Sequence, residues 1–181
     1  MKLLLYCTKG KPILSEVEYF YGDEDRTGYE CIPNTKKGNK YLEQMGLGEV
    51  LNGKIVAECD FEVEWYDTSW YCNDFIEHNG LEKSCLTKEQ LFDYVKGRNE
   101  FYAIHIKNLH IFDKPYELGK ALIYNFNTQY IVEKAPQNMM KVYNRAGECH
   151  ILISIKPQWM CKILNGEKTI EVRRNVLKEM K

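Results

Sequence analysis

Residues 166–174 read GEKTIEVRR and hold the densest chemistry in the chain. Lys168, Glu171 and Arg173 place an amine, a carboxylate and a guanidinium close together near the C-terminus. Arg offers a planar fork to a phosphate or a base edge, and Lys a point charge. A carboxylate between them can hold both cations in place or accept from an exocyclic amine. Read as a strand, the segment turns Ile170 and Val172 to the core and puts Thr169, Glu171 and Arg173 on the other face. A plainer reading fits the same residues: a surface ion pair of Glu171 with Arg173, worth little energetically.

Something must hold that strand. Just before it, SIKPQWMCKILNG carries Pro157 at a first helical position, then Met160, Ile163 and Leu164 on one face, with Gly166 as the stop. Upstream, MMKVY, the turn residues NRAGE and CHILISI read as a hairpin. LLLYC (3–7) is a short apolar strand followed by the turn residues TKGKP. NGKIVAECDFEVEWY (52–66) opens on the turn pair Asn52-Gly53. It then alternates, with Ile55, Ala57, Cys59, Phe61 and Val63 opposite Lys54, Glu58, Asp60, Glu62 and Glu64.

Residues 86–99 predict a helix with a Thr87/Gln90 capping box, an apolar stripe of Leu91, Tyr94 and Val95, and Gly97 as the end. FYAIHIKNLHIFDKP (101–115) reads as one or two strands stopped by Pro115, from which a short helical turn to Leu118 can start. The polar stretch 21–40 reads as a long surface loop, and 67–80 as an irregular aromatic insert. The tally is six or more strands and two or three short helices, an α+β chain suited to a small mixed β-barrel with flanking helices.

Composition sets the outer limits. At 181 residues, 44% hydrophobic and 28% charged, the chain suits one globular domain. No apolar run approaches the roughly 18 residues of a membrane span, and the apolar stretch in MKLLLYC is shorter than a signal-peptide core of roughly 7–15. Seven scattered cysteines, with no CxxC and no zinc-type Cys/His spacing, predict free thiols in a reducing cytoplasm and no metal site. Net charge is −1, which argues against a general nucleic-acid coat. The distribution is uneven: 58–94 hold ten acids against two bases, whereas 150–181 hold seven bases against three acids. A local basic site on a near-neutral protein fits a small polyanion or one short nucleic-acid segment. A merely solvated acidic face explains 58–94 equally well.

At Gly166, Lys168, Glu171 and Arg173 the chain resembles the ASCH family of PUA-like barrels, whose hallmark is GxKxxExR or a close variant after a strand–helix unit. ILISIKPQWMCKILNG resembles the family's first strand and helix, and LLLYCTKGK the strand after the hallmark. LNGKIVAECDFEVE resembles the next strand, FYAIHIKNLHIFDKPYEL the penultimate segment, and KAPQNMMKVY the closing strand with its PQ pair. The likeness covers most of 1–181 apart from inserts at 20–45 and 67–98. The order departs from the family's. Residues 1–143 match its second to last elements, 144–149 a joining turn, and 150–181 its first strand, helix and hallmark strand, so the chain looks circularly permuted. A truncated tandem copy, and a domain swap that makes a dimer rather than a monomer, remain open alternatives.

The resemblance implies a domain that binds RNA or a modified nucleotide-like ligand in a cleft beside the first family helix, with no cofactor. Lys156 and Trp159 would flank that cleft with Lys168, Thr169, Glu171 and Arg173, and Trp159 either stacks a base or fills core. Tyr6 and Thr8 would end the neighbouring strand. Glu58, His105 and Gln137 are secondary candidates; His105 suits a barrel interior, and Gln137, in the PQ pair, suits a structural role. Some small ASCH proteins resemble amidohydrolases that deacylate acetylated cytidine, using a Lys, a Thr three residues later and a distant Glu. Here Lys168 is present but the third position is Glu171. A carboxylate can act as a base towards water, yet it forms no acyl intermediate as readily as a hydroxyl does. That departure favours binding over an N-acyl-nucleoside hydrolase built on Lys168 and Glu171. The remaining reading is an interaction module using the aromatic segment 65–75.

Overall fold

The computed structural model describes residues 1–21, 24–33, 35–38, 40, 49–68 and 72–181, with the backbone alone at 18–21 and 24–27. In chain order the strands are β1 (Lys2–Cys7), β2 (Ile13–Tyr21), β3 (Glu24–Ile32) and β4 (Lys54–Asp67). Three short helices follow, α1 (Cys72–Glu77), α2 (Gly80–Ser84) and α3 (Lys88–Val95). The chain then runs through β5 (Glu100–Glu117), β6 (Tyr124–Asn125), β7 (Met139–Tyr143) and β8 (Cys149–Ile155). It ends with α4 (Pro157–Leu164), β9 (Ile170–Arg173) and a 3-10 turn at Lys178–Met180.

Seven strands form one mixed sheet in the order β6-β7-β8-β1-β4-β5-β9, and β2–β3 is a separate hairpin. The β8–β1 pair is parallel and the other ladders are antiparallel. The parallel strand β8 thus sits between its hairpin partner β7 and β1, within its own chain. The sheet curls. Arg173, on the edge strand β9, bonds the Ser154 carbonyl of β8, four places away in strand order. The C-terminal residues bridge the same gap: Lys181 Nζ donates to Tyr102 OH on β5 at 2.6 Å, and Lys141 of β7 lies 3.4 Å from Glu179. The result is an α+β fold with a barrel-like sheet and few helices.

Alternation assigns the layers. Leu3, Leu5 and Cys7 of β1 and Ile151, Ile153 and Ile155 of β8 bury in the main core, which Met160, Ile163 and Leu164 of α4 close. Leu4, Tyr6 and Leu152 face outward into a second cluster with Val142, Ile123 and Val132. A third cluster joins α1 and α3 to β5 and β9 through Phe75, Leu91, Val95, Phe101, Ile170 and Val172. All three clusters lie on one continuous sheet.

Several sequence expectations hold. The NRAGE hairpin closes with Tyr143 opposite Cys149, and α4 starts at Pro157 and ends before Gly166 at φ +75°. The capping box is present: Thr87 accepts from Gln90 N, and the Gln90 side chain accepts from Thr87 N.

Others are corrected. The stretch 21–40 is not one long loop, because Glu24–Ile32 is a strand paired along its whole length with β2. Tyr29 and Cys31, two apart, pack on the core, a short alternation that surrounding polar residues conceal. Part of the aromatic insert is helical, at Cys72–Glu77, with Phe75 as its buried anchor. Ser69, Trp70 and Tyr71 of that insert lie outside the described residues, as do 22, 23, 34, 39 and 41–45 of the other. Pro115 neither stops β5 nor starts a helical turn. The register with β4 slips between Ile55 and Ala57, so Pro115 falls in an unpaired interval between Ile111 and Tyr116, where its missing N–H costs no ladder bond. The same slip moves Ile55 off the face of Ala57 and Cys59 and into the outer cluster.

Candidate functional site

Hairpin β7–β8, helix α4 and strand β9 bring one end of the sheet against helix α3, and a cleft of ≈ 410 Å³ lies between them. Its floor is a buried charge triad. Lys168 is 3% exposed and Glu171 7%. Lys168 Nζ lies 3.4 Å from Glu171 Oε2, and Arg173 Nη2 lies 2.9 Å from Glu171 Oε1, so one carboxylate serves both cations. Isolated charges at this depth would cost several kcal/mol each, and the two cations have partners outside the triad as well.

Those partners come from neighbouring elements. Lys168 Nζ donates to Ser84 O at 2.6 Å, a carbonyl at the end of α2 where no intrahelical donor remains. Arg173 Nη1 donates to Asn138 Oδ1 at 2.8 Å, and Nη2 to Ser154 O at 2.7 Å. The Ser154 hydroxyl is itself committed to Pro136 O at 2.7 Å. Burial pushes the Lys168 ammonium below the ordinary lysine range, with the Glu171 carboxylate opposing that shift. Its Nζ also sits 5.2 Å from the centre of the Trp159 ring, a cation–π contact that orients the indole beside the cleft.

Of the residues singled out from sequence, Lys168, Glu171, Arg173, Lys156, Trp159, Thr8 and Gln137 line this one cleft. Gly166 and Pro157 account for much of that. They delimit α4, so Lys156 and Trp159 enter at its first turn while β9 returns alongside. Lys156 is exposed at the mouth as the residue capping α4, in contrast to the buried Lys168.

Four candidates lie elsewhere. Thr169 precedes β9, is exposed and does not line the cleft; its backbone N–H bonds Lys83 O. Tyr6 is 4% exposed in the outer cluster, where burial raises its phenol pKa, and it borders a different depression with Asn52 and Glu133. His105 lies 3.0 Å from Glu64, and Glu58 3.7 Å from His110, both on the polar face of the β4–β5 ribbon.

Helix α3 supplies what the sequence reading did not place. Gln90 and Tyr94 on the helix, with Leu86 just before its cap, form the wall facing α4, and Ser154 and Val172 complete the lining. Leu91 and Val95 dock on Ile170 and Val172, which carries the helix rim to the cleft. Arg174 fixes Tyr94 from behind: its guanidinium lies 4.6 Å from the ring centre and its Nε donates to Tyr94 O. The consecutive residues Arg173 and Arg174 therefore secure opposite sides of the cleft. A helix with an apolar stripe signals that something is covered; only the fold says that it covers β9.

Among the described residues no group of three or more His, Cys, Asp or Glu side chains is placed to hold a metal, and no helix is long and apolar enough to cross a membrane. No family model, no curated protein and no solved structure matches the chain.

Proposed function

We propose that the cleft binds RNA or a modified nucleotide, one unit at a time, and that the chain is a circularly permuted ASCH-type, PUA-like barrel acting as a binding module. One observation carries this reading: a cleft whose floor is Lys168–Glu171–Arg173, and whose rim holds Lys156, Trp159, Gln137, Gln90 and Tyr94. Three cations against one carboxylate favour an anionic ligand. Two aromatic rings suit a planar base, and the carboxamides suit its edge. The volume falls within the roughly 300–1,000 Å³ of small-ligand sites. The permutation is supported by the order of elements, in which the unit β8–α4–β9 completes a sheet begun by β1, through the Asn144–Glu148 turn.

The triad's cations are engaged with protein partners, so the exposed charge for a ligand phosphate falls to Lys156. Binding should therefore show a shallow salt dependence, as only about one phosphate is neutralised. The test is titration of short single-stranded RNA and of free nucleotides, followed by anisotropy or calorimetry. Measurable affinity that drops in Lys156→Ala/Trp159→Ala supports the reading. Equal affinity in wild type and the double variant, or none in either, overturns it.

One observation favours a second reading, an amidohydrolase acting on an N-acylated nucleoside such as acetylated cytidine: a lysine of lowered pKa beside a carboxylate in a cleft. Glu171 would serve as base towards water. Product formed from such a nucleoside by wild type and lost in Glu171→Gln, which keeps the side-chain shape, would favour it; no product at high enzyme concentration counts against it.

A further inference from the structure

On α4, residues 159 and 161 point about 200° apart, so Cys161 faces away from Trp159 and towards the β2–β3 hairpin. There it meets Cys31 of β3 in a reciprocal arrangement. Cys31 Sγ donates to Pro157 O on the helix at 3.2 Å, and Cys161 Sγ donates to Tyr29 O on the strand at 3.1 Å. The two thiols are near enough to shift each other's ionisation. Asn165 locks the register, its carboxamide accepting from Tyr29 N at 3.0 Å and donating to Tyr29 O at 2.8 Å. Both cysteines are half-buried, whereas the nearby Cys7 is fully buried and its thiol is pushed up to about 12 by burial.

We propose that Cys31 and Cys161 form a redox-active dithiol that closes to a disulfide on reaction with a small-molecule disulfide such as oxidised glutathione, clasping α4 covalently to the hairpin. The two thiols differ in the way such a pair requires. Cys161 has two groups beside it that favour its thiolate: the Cys31 thiol, which lowers its pKa, and the Asn165 amide, which donates to its sulfur at 3.6 Å. These offset the loss of its own bond to Tyr29 O on deprotonation. Cys31 is held protonated by the neighbouring Cys161 and by burial. Cys161 thiolate attacks one sulfur of the glutathione disulfide, expelling one glutathione thiolate and leaving a mixed disulfide on Cys161. Cys31 then gives up its proton, attacks the Cys161 sulfur and expels the second glutathione. Two protein thiols are oxidised, and one disulfide is reduced to two thiols.

The clasp acts on the helix that presents Lys156 and Trp159, yet its test needs no ligand. Folded protein is equilibrated with oxidised glutathione, alkylated, digested without reduction and mapped by mass spectrometry. The expected result is a linked Cys31–Cys161 peptide as the predominant protein disulfide, reversed by dithiothreitol. In Cys31→Ser the mixed disulfide should accumulate on Cys161, and in Cys161→Ser residue 31 should stay unmodified. A predominant disulfide involving any other cysteine, free Cys31 and Cys161 while others react, or no adduct at Cys161 in Cys31→Ser overturns the proposal.

Discussion

Two regions of this protein use the same residue types in opposite ways. On the β4–β5 ribbon, Glu62 and Lys107 lie 2.6 Å apart with side chains 67% and 48% exposed, and Glu64 with His105 and Glu58 with His110 continue the row. At the cleft floor, Lys168, Glu171 and Arg173 make contacts of similar length with side chains 2–13% exposed. Water screens the first set, and removing a member costs little. The second set has no water to fall back on, so each charge depends on the others. Charge spacing in a strand therefore says little by itself, and burial decides which row is a surface and which is a site.

The largest expected effect follows directly. Glu171→Leu leaves Lys168 and Arg173 buried without their shared carboxylate, and should destabilise the fold by about 3–5 kcal/mol. Chemical denaturation of the variant beside Glu62→Leu measures both regions at once. Equal losses at the two sites would erase the distinction between them. Next in size is Trp159→Ala. If the indole stacks a base, affinity for RNA or nucleotide should fall roughly 5- to 150-fold, corresponding to about 1–3 kcal/mol. A loss of stability with unchanged affinity would place Trp159 in the core alone. Below that, Thr87→Ala removes the hydroxyl that accepts from Gln90 N, leaving the bond from the residue 87 N–H to the Gln90 side chain, and should cost about 1 kcal/mol of stability by thermal melting. The same change should loosen the Gln90–Tyr94 wall, so affinity should fall as well.

The site was more legible than the fold around it. Pro157, Gly166 and the apolar spacing of Met160, Ile163 and Leu164 specify a helix that returns a strand beside its own start. Lys156, Trp159, Lys168, Glu171 and Arg173 follow from that local unit, without long-range information. What failed was long-range. Thr169 shares the parity of Glu171, but the strand begins one residue later, so parity misassigned it. Ile55 was misassigned by a register slip set by the partner strand. Tyr6 alternates correctly, yet which face of β1 meets the cleft depends on where β8 pairs. Leu86, Gln90 and Tyr94 lie roughly 75–90 residues before β9 in sequence, and the docking of their neighbours Leu91 and Val95 on Ile170 and Val172 has no local signature. Periodicity reports that a face is buried; it does not report against what.

Titration probes the burial of the cleft floor directly. Folding lowers the Lys168 pKa, so between that folded value and the ordinary lysine pKa of about 10.4 the unfolded chain binds the extra proton. Stability contributed at this position therefore rises with pH across that window. It falls back as pH drops through the folded pKa, below which the full cost of burying the charged amine is present. Melting temperatures of wild type and Lys168→Met, compared from pH 8 to 10.5, should show wild type gaining on the variant. Parallel curves would mean that Glu171 fully compensates the burial.

The smallest effect expected is on that ribbon itself. Lys107→Ala breaks an ion pair whose partners are each about half exposed or more, and exposed pairs contribute roughly 0–1 kcal/mol. Glu62 keeps His105 opposite it in the register as a polar neighbour. The value should shrink further as salt is raised, since the Debye length falls from about 10 Å at 0.1 M to about 3 Å at 1 M. The cleft triad, shielded from ions, should show no such decline when Glu171→Gln is measured over the same series. A salt-insensitive loss above 2 kcal/mol at Lys107 would make the ribbon a second organised site, and the contrast between the two regions would then be one of location rather than of kind.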